Sequence, residues 1–146
     1  MNKINQIIDN LVDYSHTLFE IEYDNKLEIP ALSILIKDNR YQLRHKIIIN
    51  YNLIKEESIS VIAHILSHEW GHHMFKHTFT DPTTLTTEQR TLVELEADTY
   101  ALNFIKKYNY NKNNIIKYIK KNHIKDCNIF QQKLNLLNKR LLILTY

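Results

Sequence analysis

"SHEWGHHMFKH", Ser67 to His77, places four histidines, one acid and the chain's only glycine within eleven residues. His68 and His72 stand four apart, so on a helix both project from one face a turn apart. Two imidazoles placed that way can reach one ion at ~2.0–2.1 Å. Glu69 follows the first of them, where its carboxylate can approach a water activated by the metal without being a ligand itself. That is the logic of H-E-x-x-H, matched here as "HEWGH". Gly71 costs about 1 kcal/mol relative to alanine in a helix interior, so its presence calls for a reason such as close approach of another helix. His64 and His68 share the i, i+4 spacing, but Ile65 stands where the base would be. His73 and His77 read as exposed residues on a neighbouring helix face.

A catalytic zinc site takes three protein ligands and leaves one position open, so the third is to be sought downstream on another element. "ELEAD", residues 94–98, supplies it. Glu94 and Asp98 are four apart on one helical face beside Ala101, whereas Glu96 sits among Leu92, Val93 and Tyr100. A face with two acids and small neighbours can press against the glycine-bearing side of the first helix. Glu94 is then the third ligand, and Asp98 accepts the free N–H of a ligating histidine and fixes its tautomer. Glu96 is the substitute ligand if the helix is rotated.

Working outward, Ile59, Ile62, Ala63, Leu66 and Trp70 line one broad side of a helix expected from about Lys55 to His77. Before it, "LFEIEY", "ALSILIK" and "RYQLRHKIIIN" are alternating or β-branched runs separated by "DNK" and "DNR", which predicts a small sheet with a hairpin near Asp38 to Arg40. Residues 3 to 19 carry Ile4, Ile7, Ile8, Leu11, Val12 and Leu18 at helical spacing. "TDPTTLTT" breaks the pattern after His77, a helix follows from about Glu88 to Lys107, and two more are expected near 112–122 and 127–143. The expected fold is α+β: a small, mainly antiparallel sheet packed on an active-site helix and a glutamate helix, with additional C-terminal helices. With no repeat or linker, residues 1–146 read as a single domain.

The 146 residues are 44% hydrophobic and 24% charged, which is ordinary for a globular protein. The net charge of +3 comes from scattered lysines and does not argue for nucleic acid. The N-terminus has charges where a secretory signal has an unbroken apolar core, and no run approaches the ~20 apolar residues that span a bilayer. Cys127 is the single cysteine, which excludes an internal disulfide and fits a reducing compartment. A soluble, cytoplasmic chain is the expectation, with the oligomeric state left open.

"HEWGH" followed by "ELEADTYA" resembles the gluzincin zinc metallopeptidases, whose pattern is HExxH and then ExxxD on a second helix. The resemblance leans towards the peptidase M48 group, with its E-x-E-A-D-x-x-A signature, and the very short minigluzincins. The ImmA/IrrE family is also similar in "IIINYNLIKEESISVIAHILSHEWGHH", but that family has Asn where Asp98 stands and a Leu-Met-Pro segment missing here. The resemblance covers roughly residues 30 to 120. It implies Zn²⁺ held by His68, His72 and Glu94, Glu69 as general base, and a peptide or protein substrate. His123 in "KNHIKD" resembles a remnant of the M48 His-Pro segment without its proline; it and the tyrosines are candidates to stabilise the oxyanion. An extended substrate would lie along an edge strand, for which "HKIIIN" is the candidate. The alternative is a regulatory or binding protein, ImmA/IrrE-like, that keeps the fold with weak or no catalysis. The apolar C-terminal "KRLLILTY" either closes the core or lies over the cleft.

Overall fold

Asn50, Ser58 and Thr86 start three of the helices, and the chain between them sets the architecture. In the computed structural model, which describes residues 2–123, 138–140 and 142, the order is α1 (Asn2–Ser15), β1 (Glu20–Tyr23), β2 (Ala31–Lys37), β3 (Leu43–Ile49), α2 (Tyr51–Ile54), α3 (Ile59–Met74), α4 (Thr87–Lys107) and α5 (Lys112–His123). The expected α+β class holds.

Ile4, Ile7 and Leu11 bury the apolar stripe of α1. The helix stops at Ser15, short of the expected residue 19, because His16 takes a left-handed backbone (φ 55°). Leu18 is accordingly exposed rather than part of the stripe. The Ser15 hydroxyl donates to the Leu11 carbonyl at 2.7 Å and accepts the Trp70 indole N–H at 3.0 Å, which ties α1 to α3.

β2 and β3 form the expected antiparallel hairpin, turned where the Asp38 carboxylate accepts the N–H groups of Arg40 and Gln42. β1 pairs with β3 in parallel, Glu20 opposite Lys46, giving the order β1-β3-β2. The strand containing "HKIIIN" is therefore central, which corrects the expectation that it is an edge. Ile47 and Ile49 are fully buried, as befits a strand flanked on both sides. Among the described residues β1 and β2 are the two edges, and β2 is the longer.

α3 is capped by the Ser58 hydroxyl, which accepts the Val61 N–H. It packs against α1, β2, β3, α4 and α5, and most of its residues are buried, polar ones included. The helix expected over 55–77 is divided: α2, capped by Asn50, precedes it, and Met74 ends it because Lys76 is left-handed (φ 60°, ψ 27°) and starts a 3-10 turn at His77–Phe79. A second 3-10 turn, Pro82–Thr84, leads into α4, which opens with a reciprocal capping box between Thr86 and Gln89. Gly71 has the anticipated reason. A Cβ there would meet Tyr100 Cβ at 3.0 Å and the Ala97 backbone at 3.2 Å, so glycine lets α4 lie directly on α3.

Among the described residues no helix is long and apolar enough to cross a membrane. Most of the expected 127–143 helix and the apolar run after Arg140, apart from Leu142, lie outside them.

Candidate active site

The close α3–α4 contact decides what the motifs do. His68 and His72 leave α3 on one face, and Glu94 comes across from α4. Their ligand atoms all lie within 4.8 Å of one another, with His68 Nε2 at 3.1 Å from His72 Nε2 and 3.1 Å from Glu94 Oε2, and His72 Nε2 at 3.5 Å from Glu94 Oε1. Donors set tetrahedrally at ~2.0–2.1 Å from one zinc ion stand roughly 3.3–3.4 Å apart. The donor set and its spacing therefore fit such an ion with little movement.

Asp98 sits one turn beyond Glu94 and is almost wholly buried. Its Oδ1 accepts from His68 Nδ1 at 2.8 Å, which turns Nε2 towards the cluster. Arg140 closes the far side of this carboxylate, donating through Nε to Oδ2 at 2.5 Å and through Nη2 to Oδ1 at 3.0 Å. Glu96 points elsewhere: its Oε1 lies 3.5 Å from His77 Nε2 and it is not part of the three-residue cluster.

Glu69 is held by the edge strand. Ser33 N–H donates to Glu69 Oε2 at 2.9 Å, and the Ser33 hydroxyl lies 2.6 Å from both Oε2 and the Glu69 carbonyl. Burial pushes the Glu69 carboxyl up, against the pull of His68 and Ser33. An acid poised higher than usual, beside a group of donors, is suited to accept a proton. In the other acids the balance is reversed. Burial would raise Glu94, but His68 outweighs it and holds Glu94 at about 2. Asp98 also falls below its ordinary value, since His68 and Arg140 together overcome burial. His68 itself is lowered by burial but raised more by Asp98 and Glu94, to about 10, while burial and the His68 charge push His72 down to about 4.

Two spaces flank Glu69 and His68. One, of ≈ 600 Å³, runs past Ser33, His72, His77, Leu85 and Glu94. The other, of ≈ 240 Å³, is bounded by Ala31, His64, Tyr118, Asn122 and Arg140. His64 Nδ1 is buried without a hydrogen-bond partner among the described residues, and burial lowers this imidazole to about 3. The side chain of His123 lies outside the described residues.

His73 and His77 are not exposed. His73 is buried, its Nε2 2.9 Å from the Lys46 carbonyl and its Nδ1 3.2 Å from His45 Nδ1, so it fastens α3 to β3. His77 is half-buried, with Nδ1 3.0 Å from His72 Nδ1. His77 departs from the expected face because the left-handed Lys76 ends the helical phase before it, whereas His73 keeps that phase and is covered by β3 and Phe19. Ser33 and Arg140 were missed altogether. The one available signal was a lone polar residue in the apolar run "ALSILIK".

A proton acceptor fixed beside a group able to hold a metal, with open space on either side, is the equipment of a hydrolase. Residues 3–132 match the Peptidase U49 family model, and the chain belongs to that family. The matched family is a peptidase family other than the M48 and ImmA/IrrE groups that the motifs suggested. No curated protein and no solved structure matches the chain.

Proposed function

We propose that the protein is a zinc-dependent endopeptidase of gluzincin type. The observation that carries this is the convergence of His68 Nε2, His72 Nε2 and the Glu94 carboxylate from two helices, with Glu69 directly beside His68. Zinc at that position supplies a Lewis acid for the scissile carbonyl and brings the pKa of water towards ~7. His68, His72 and Glu94 hold the ion, and Asp98 keeps the His68 proton on Nδ1. Glu69 takes the proton of the attacking water and delivers it to the leaving amine. Ser33 holds and orients the Glu69 carboxylate through its N–H and its hydroxyl. An extended peptide would add to the open edge of β2, which runs beside Glu69, in place of the β3 edge first expected.

The test is metal analysis of protein purified without added zinc, followed by digestion of unfolded casein with and without a chelator. One zinc per chain and chelator-sensitive cleavage are expected; cleavage that survives complete removal of metal overturns the reading.

A further inference from the structure

Asp98 accounts for the orientation of His68, but nothing so far accounts for that of His72. We propose that His77, backed by Glu96, is a positioning residue for His72, accepting the His72 Nδ1 proton so that the Nε2 lone pair stays on the metal position. The inference rests on the metal site proposed above.

A neutral imidazole carries one N–H, so two Nδ1 atoms at 3.0 Å share a single proton. His72 Nε2 faces His68 Nε2 and Glu94, and to ligate it must be unprotonated. The His72 proton then sits on Nδ1, and His77 Nδ1 is the acceptor. That places the His77 proton on Nε2, the nitrogen that faces Glu96 Oε1 at 3.5 Å. The opposite assignment turns a proton against the metal position and sets an unprotonated nitrogen against a carboxylate oxygen. Glu96 therefore selects the tautomer that His72 needs. At 3.5 Å the contact is electrostatic rather than a hydrogen bond, which agrees with His77 Nε2 having no hydrogen-bond partner among the described residues.

The chain is built to hold this arrangement. Lys76 reverses the backbone, which brings His77 back under His72 at a spacing of five, where a continuing helix would carry it to another face. Phe75 stacks on the His77 ring at 5.7 Å and 12° between planes. Glu94 and Glu96, two apart on α4, thus serve the same histidine from opposite ends: one beside Nε2, the other through His77 beside Nδ1.

The test compares zinc dissociation constants, by competition with a chromophoric chelator, for the parent, His77→Phe, His77→Asn and Glu96→Gln, with the visible spectrum of the Co²⁺ form read alongside. Phenylalanine keeps the ring and its stacking but has no acceptor, whereas asparagine offers an oxygen near the place of Nδ1. His77→Phe should weaken zinc by about 10- to 100-fold with the cobalt bands unmoved. His77→Asn should recover most of the loss. Equal affinity in His77→Phe and the parent overturns the proposal, as does His77→Asn binding no better than His77→Phe, or shifted cobalt bands, which would make His77 a ligand. Should His77→Phe not fold, Glu96→Gln carries the test alone: severalfold weaker binding supports the relay and unchanged binding overturns it. A parent that takes up no zinc defeats the metal site itself, a result distinct from all of these.

Discussion

Glu69 is set between burial, which raises it, and His68 and Ser33, which lower it, and both the carboxylate and its Ser33 partner can be removed singly. Glu69→Gln keeps the shape and loses the acceptor, so zinc content and fold should be unchanged while casein hydrolysis falls by about 10²-fold or more. A variant that cleaves as well as the parent would refute the role. Ser33→Ala removes a hydrogen bond that lowers the Glu69 pKa, leaving burial less opposed. With Glu69 as the proposed base the reaction would need its carboxylate, so the acid limb of the pH–rate profile should move to higher pH; a profile that stays in place or moves the other way would show that Ser33 does not set this proton. At this scale the sequence was readable where several residues share one helix. Spacing alone brought His68, Glu69 and His72 together, and a second helical spacing paired Glu94 with Asp98. Ser33 and Arg140 come from distant segments, where a single serine or arginine has no period to mark it.

Helices α3 and α4 pack closely at Gly71, where a Cβ would lie 3.0 Å from Tyr100 Cβ and 3.2 Å from the Ala97 backbone. Gly71→Ala gains about 1 kcal/mol of helix propensity but must push Tyr100 and the Ala97 backbone away, an overpacking cost of about 1–3 kcal/mol. We expect a net loss of about 1 kcal/mol in urea unfolding together with weaker zinc binding, because Glu94 travels with α4. Stability and affinity both at the parental level would show that the contact can give way freely. The helices themselves were legible to within a few residues. Less so were the places where one residue changes the phase: left-handed His16 and Lys76 end α1 and α3 early, and neither is a glycine or proline that would announce it. The order of the sheet was also hidden, because a four-residue strand such as "EIEY" gives no indication of which neighbour it will choose.

Across the whole molecule the buried titrating groups pull stability in two directions. His64, lowered to about 3, costs the folded state increasingly as pH falls below ~6.5, since the unfolded chain takes up the proton first. Glu94 and Asp98, both lowered, act in the same sense at lower pH. His68 is the opposite case: raised to about 10, it contributes fully below ~6.5 and loses that contribution as pH climbs towards 10. Metal-free protein should therefore lose thermal stability on the alkaline side as well as in acid. Zinc bound as proposed would replace the His68 proton on Nε2, so the alkaline decline should flatten when the melting temperature is followed from pH 7 to 9.5 with zinc present. Parallel curves with and without zinc would contradict the assignment.

The chain builds its core around the same helix that presents the reactive groups, and α3 buries Ser60, His64, Ser67, His68 and His73 along with its aliphatic residues. An ion lodged between α3 and α4 would then be a folding ligand as much as a reagent. At a hundredfold excess over its dissociation constant it adds about 2.7 kcal/mol to the folded state, a sizeable share of what holds a domain of this size together. Scarcity of the metal would then thin out the population of folded molecules as well as silencing each one, so supply would govern how much of the protein survives proteolytic turnover.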